Sequence, residues 1–154
     1  MKTFNDLINE ALPHIKEIMP WDLEEKIAED LKPLIVDIRE VDEFEAMHIP
    51  ESILVPRGIL ETACDYDYDE TIPDLVRARD KEIILVCRSG NRSVMAALTM
   101  KMMGYSNVAS LKTGVRGWND YDQPLVDKKG NEVDPDDAEA FLENHVREDQ
   151  KSPV

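Results

Sequence analysis

Apolar positions recur along this chain in two rhythms, one at helical spacing and one in short unbroken runs, and their order predicts an architecture. Phe4, Leu7, Ile8, Ala11, Leu12, Ile15, Ile18 and Met19 follow helical spacing with polar residues between them. They predict an amphipathic helix over residues 3–19, with a kink or two short helices meeting where Pro13 removes an internal hydrogen bond. Its stripe is read as a cover for a core edge of the same chain rather than as a dimer contact. A second short helix is expected from Pro20 or Trp21 through Leu23, Ile27 and Ala28.

Beyond Leu34 short apolar runs alternate with helical stretches. The predicted strands are Leu34–Asp37, Ile53–Val55, Ile83–Val86 and Val108–Leu111. The predicted helices are Val41–Met47, Ile59–Ala63, Ile72–Arg79, Arg92–Met103 and Val115–Tyr121. Such alternation implies an α/β fold with a parallel sheet covered on both faces, in which ligands bind beyond the carboxyl ends of the strands. That rule gathers Arg39, Arg57, Cys87, Arg88, Arg92 and Lys112 along one edge.

Near the C-terminus, Asp134-Pro135-Asp136-Asp137 reads as the N-cap and first turn of a helix running through Ala138, Phe141, Leu142 and Val146. Asp149 to Val154 reads as disordered. Residues 64–80 interleave Asp65, Asp67, Asp69, Glu70 and Asp74 with Tyr66 and Tyr68. Lacking the glycine and closing glutamate of a calcium loop, they are read as a solvated acidic loop. The expected organisation is an N-terminal amphipathic extension over residues 1–19, one domain over 20–125, and an acidic C-terminal extension over 126–154.

The chemistry concentrates in Cys87-Arg88-Ser89-Gly90-Asn91-Arg92-Ser93, between a strand and a helix. A loop entering a helix turns free N–H groups inward, which together with the helix dipole cradle an anion. A thiol held there ionises readily, so the stretch predicts a cysteine-dependent enzyme acting on an anion.

Charge sharpens this reading. The formal net charge is −15, yet Ile83 to Trp118 contains no Asp or Glu while Arg88, Arg92, Lys101, Lys112 and Arg116 contribute five positive charges. The acidic remainder argues against nucleic acid or an anionic membrane as a partner, and a small anion entering a local positive pocket fits better. No run approaches the length of a membrane span, and Met1-Lys2-Thr3-Phe4 does not open a secretory pattern. A cytoplasmic protein with two reduced thiols is expected.

Together these stretches resemble the single-domain rhodanese-like sulfurtransferases over roughly residues 20–125. The Cys87–Ser93 stretch looks like that family's active-site loop. Val36-Asp37-Ile38-Arg39-Glu40 with Glu43-Phe44 and His48-Ile49-Pro50 is similar to its first signature, and Leu111-Lys112-Thr113-Gly114-Val115-Arg116-Gly117-Trp118 to its closing one. Met47, Glu51-Ser52 and Val115 depart from the family pattern, all outside the nucleophile loop.

The resemblance implies a rhodanese-like three-layer α/β fold, a small parallel sheet flanked by helices, here with helical extensions at both ends. It also implies a ping-pong transfer in which Cys87 takes sulfane sulfur from thiosulfate or a persulfide donor and passes it to a thiol or cyanide, without metal or cofactor. The N–H groups of Arg88, Ser89, Gly90, Asn91, Arg92 and Ser93 would hold the persulfide. The Arg88 and Arg92 guanidiniums would orient the donor's oxyanion, and Arg57 and Lys112 are candidate pocket residues.

Two other readings stand beside this one. One is a non-catalytic persulfide carrier or regulatory module. The other is a cysteine-dependent phosphatase or arsenate reductase, since certain dual-specificity phosphatases share the fold. Four residues separate Cys87 from Arg92, one fewer than the phosphatase pattern, and the smaller ring suits sulfur. His48 is expected to have a structural hydrogen-bonding role and Cys64 to be a buried or idle thiol. Trp118 and Trp21 are expected to anchor the core, and Asp37, Arg39 and Glu43 or Glu45 to form an internal ion-pair network.

Overall fold

The computed structural model describes residues 1–153. Five parallel strands form its sheet: β1 (Lys16–Ile18), β2 (Leu34–Asp37), β3 (Ile53–Leu54), β4 (Ile83–Val86) and β5 (Val108–Leu111), in the spatial order β1-β5-β4-β2-β3. The helices are α1 (Phe4–Ala11), α2 (Pro20–Ala28), α3 (Val41–Ala46), α4 (Leu60–Ala63), α5 (Pro73–Val76), α6 (Arg92–Met102), α7 (Gly114–Asp120) and α8 (Pro135–Leu142).

The central strand β4 is buried along its whole length, and its side chains alternate between two cores. Ile83, Leu85 and Cys87 join Val36, Ile38, Val55, Leu60, Leu75, Ala96 and Met100 on one face. Ile84 and Val86 join Leu23, Ile35, Ile49, Leu111, Val115, Trp118, Ala138 and Leu142 on the other. Helices α4, α5 and α6 therefore cover one face while α2, α7 and α8 cover its opposite, which is why the β4 run lacks polar positions.

The α/β class is as expected, and the corrections are local. Residues 3–19 form neither one kinked helix nor two helices meeting at Pro13. After α1, Pro13 lies in a 3-10 turn (Leu12–His14), and Lys16–Ile18 runs as β1 alongside Ala109–Leu111. The open edge of β5 supplies hydrogen bonds that a helical continuation would have to forgo. The covering role stands: Ile8 and Ala11 pack on Val94, with Leu12, Ile15, Met95 and Leu98 around them.

Helix α5 is shorter than the stretch Ile72–Arg79: it ends at Val76, and the Arg79 guanidinium beyond it donates to the carbonyls of Val76, Cys64 and Met103. Helix α8 starts at the expected cap, where Asp134 accepts from the N–H groups of Asp136 and Asp137 at 2.9 and 3.2 Å. It ends at Leu142, and Val146 lies exposed beyond it. Glu148–Gln150 forms a 3-10 turn where no structure was expected. The part of that expectation that falls on Val154 lies outside the described residues.

Trp118 is buried and donates its indole N–H to the Pro124 carbonyl, but Trp21 is 48% exposed and meets Tyr121 edge to face. Asp37 and Arg39 form a fully buried pair in which the guanidinium contacts both carboxylate oxygens at 2.8–3.1 Å and donates to the Met47 carbonyl. Glu43 and Glu45 are not in that pair: Glu43 turns to Arg92, and Glu45 lies 3.8 Å from Lys128. No helix among the described residues is long and apolar enough to cross a membrane.

Candidate active site

Cys87 follows the last residue of β4, at the carboxyl edge of the sheet, and is 1% exposed. The loop bends back over it, so that the Cys87 sulfur accepts from the Gly90 N–H at 3.2 Å and the Ser93 N–H at 3.3 Å. The Ser93 hydroxyl lies 3.3 Å from the same sulfur, and 2.7 Å from the hydroxyl of Ser110 on β5. The N–H groups of Arg88, Ser89, Asn91 and Arg92 have no protein acceptor among the described residues. Donors without acceptors at the head of α6 make a cradle for a negative charge next to the thiol.

The loop holds this shape because the closing segment clamps it from beneath. Val115 N–H donates to the Cys87 carbonyl and Arg116 N–H to the Arg88 carbonyl, both at 2.9 Å. Gly114 permits that approach: its φ is +61°, and a Cβ there would fall against the carbonyls of Cys87 and Arg88. Gly90 is equally constrained, with φ +90° and room for a Cβ only at 2.8 Å from the Thr113 nitrogen.

The expected cations are distributed differently from a ring around the sulfur. The Arg92 guanidinium donates to both carboxylate oxygens of Glu43, at 2.8 and 3.0 Å. Burial pushes the Glu43 carboxyl up, but the Arg92 bonds, the Glu40 N–H and the charges of Arg92 and Arg39 outweigh it. The carboxyl sits below its ordinary range and Arg92 is held above its own. Arg57 bonds Glu61 and Thr99, and Arg39 is sealed in its pair with Asp37. Arg88 is half-buried and Lys112 exposed, and neither has an acidic partner among the described residues. The Lys112 N–H is tied to the Ile18 carbonyl.

His48 has the structural role expected of it: its Nδ1–H donates to the Phe44 carbonyl at 2.7 Å, and its ring stacks on Phe44 at 3.8 Å. Cys64 is fully buried beside Tyr105, and burial pushes its thiol up. Ser110 and Glu43 were not among the candidate site residues. The signal for Ser110 was a lone hydroxyl in the strand Val108-Ala109-Ser110-Leu111; for Glu43 nothing local pointed to Arg92, which is 49 positions away.

Comparison with known proteins agrees with this geometry. The Rhodanese-like domain family matches residues 20–121. YrkF of Bacillus subtilis, named a sulfur carrier protein, is 34% identical over 71% of this chain and 54% of its own length. A protein of Allochromatium vinosum named Sulfurtransferase is 28% identical, over 75% of this chain and 99% of its own. The chain thus spans about half of one such relative and nearly all of the other. A solved structure from Rhodopseudomonas palustris, a protein of unknown function described as a possible tyrosine phosphatase, superposes with a TM-score of 0.75. It is 29% identical and covers 81% of this chain and 95% of its own. With its five parallel strands, its clamped cysteine loop and this family match, the chain belongs to the rhodanese-like family.

Proposed function

We propose that the chain is a sulfurtransferase that carries the transferred sulfur as a persulfide on Cys87. The observation that carries this reading is the Cys87 sulfur receiving two backbone N–H bonds and one hydroxyl contact, with further N–H groups unclaimed around it. The names of the relatives support sulfur transfer as the general chemistry.

In the first half-reaction the Cys87 thiolate attacks the outer sulfur of thiosulfate or another sulfane donor. A bond forms between the two sulfurs, the donor's own sulfur–sulfur bond breaks, and the rest of the donor, sulfite from thiosulfate or a thiolate from a persulfide, leaves with that electron pair. The charge moves outward by one atom onto the terminal persulfide sulfur, where the N–H groups of Arg88, Ser89, Asn91 and Arg92 are available to receive it. In the second half-reaction the thiolate of a small molecule or a protein, or cyanide, attacks that terminal sulfur, and the Cys87 thiolate returns. No external oxidant or reductant enters either step.

Arg88, Lys112 and the N–H groups of Arg92 not used by Glu43 supply positive potential for the donor's oxyanion. In this reading residues 20–125 carry the chemistry and the flanking segments cover the cores. The phosphatase reading is the weaker one here, because both terminal nitrogens of Arg92 are committed to Glu43 and the loop is one residue short. Intact mass spectrometry after incubation with thiosulfate tests the proposal. A gain of one sulfur atom, discharged by cyanide or a dithiol, is the expected result; hydrolysis of an aryl phosphate with no such gain overturns it.

A further inference from the structure

Behind the sulfur lies a second hydroxyl that the mechanism above does not use. Ser110 is fully buried on β5, and the contact of its hydroxyl with Ser93 at 2.7 Å is its only side-chain hydrogen bond among the described residues. Ser93 is equally buried and lies between Ser110 and the Cys87 sulfur. The three groups form a short buried chain, so the arrangements open to their protons follow from counting donors and acceptors.

Take first the neutral thiol. Two of the sulfur's three partners are backbone N–H groups, which only donate, so its S–H proton can go only to the Ser93 oxygen. If it does, Ser93 donates to Ser110 and the Ser110 proton is left with no acceptor among the described residues; if Ser93 donates to the sulfur instead, the S–H is the proton left without one. Now take the thiolate. Ser110 donates to Ser93, Ser93 donates to the sulfur, and every proton in the chain has an acceptor. Three protons on two links leave one without an acceptor whenever the thiol is neutral, whereas the thiolate leaves none; a buried donor without a partner is costly, so the chain of three groups is fully satisfied only when the sulfur is anionic.

We infer that Ser110 is a positioning residue that acts through Ser93, turning the Ser93 hydroxyl toward the Cys87 sulfur and so favouring its reactive anionic form. The inference deepens the proposed sulfur chemistry but does not depend on which sulfur donor is used. Other charges around the sulfur are Arg88 on the loop, Arg92 on α6 with Glu43 of α3 behind it, the Asp37–Arg39 pair at the end of β2, and Lys112 and Arg116 below the loop. None of them is changed by substitution at Ser110.

The experiment is a double-mutant cycle on the full chain, comparing wild type with Ser93→Ala, Ser110→Ala and the double variant. The measured quantity is the rate of Cys87 alkylation by iodoacetamide, at neutral and at strongly alkaline pH, with adducts located by peptide mass. Ser110→Ala is expected to slow alkylation at neutral pH by roughly tenfold, with the difference closing in alkali where the thiolate forms regardless. In the Ser93→Ala background, removing Ser110 is expected to add little further loss. Equal slowing at both pH values, full additivity, or no slowing would overturn the inference. Failure of wild type to load sulfur from thiosulfate would strike the proposed function instead, since alkylation needs no sulfur donor.

Discussion

Glu43 holds Arg92 through two hydrogen bonds, joining α3 to the first turn of α6 across 49 positions of sequence. The pair fixes one wall of the loop around Cys87. Its partners are 22% and 37% exposed, so water screens the interaction and its contribution is modest, about 1–2 kcal/mol after that discount. The Glu43 carboxyl is held below its ordinary value of 4.5, so the contribution is full above that pH and is lost as the pH falls through the lowered value. Glu43→Gln is expected to lower stability near neutrality and to flatten the decline in acid, as measured by urea unfolding from about pH 7 to pH 3. An unchanged acid limb would show that the pair does not contribute.

Gly114→Ala should damage the loop from outside it. The new methyl group would fall against the carbonyls of Cys87 and Arg88, in a backbone conformation that itself disfavours a side chain. A loss of about 2 kcal/mol or more in thermal or urea unfolding is expected, with persulfide loading falling alongside. A matching change at Gly130, which also has positive φ but has nothing within 4 Å of the added Cβ, should cost only the conformational part.

The two cysteines should separate cleanly. Cys87→Ser is expected to abolish both sulfur loading and thiocyanate formation from thiosulfate and cyanide. Cys64→Ser should retain both while losing about 1–3 kcal/mol of stability, because a hydroxyl replaces a thiol inside an apolar cluster. Comparable loss of transfer in both variants would mean that the single-cysteine reading is wrong.

Removing residues 1–19 takes away β1 and the contact of Ile8 and Ala11 with Val94. The truncated protein is expected to melt roughly 5–10 °C lower and to aggregate more readily through the freed edge of β5. Loading of Cys87 should survive at low temperature. A melting point equal to that of the full chain would show that this segment is not a structural cover.

Much of this protein was legible from local pattern. The run Ile83-Ile84-Leu85-Val86 announces a strand buried on both faces because neither alternate set contains a polar residue. The Cys87–Ser93 loop falls between a strand and a helix because the apolar run before it and the helical run after it are both local patterns. Asp134 announces a cap because capping is a contact between near neighbours. Each of these depends on residues a few positions apart, and the backbone enforces such relationships whatever the rest of the chain does.

What the sequence could not supply is pairing at a distance. Lys16–Ile18 carries the same apolar spacing as the helix before it, and it becomes a strand because β5 offers an open edge 93 positions away, where Lys16 meets Ala109. Arg92 looked like a free cation until the fold placed Glu43 against it, and nothing in the strand Val108–Leu111 pairs Ser110 with Ser93 until β5 sets it there. The physical reason is the same in all three. A hydrogen bond or ion pair between distant residues has no signature at either end, since a serine or an arginine is the same residue with or without its partner. Only the closing of the sheet brings the two ends within bonding distance.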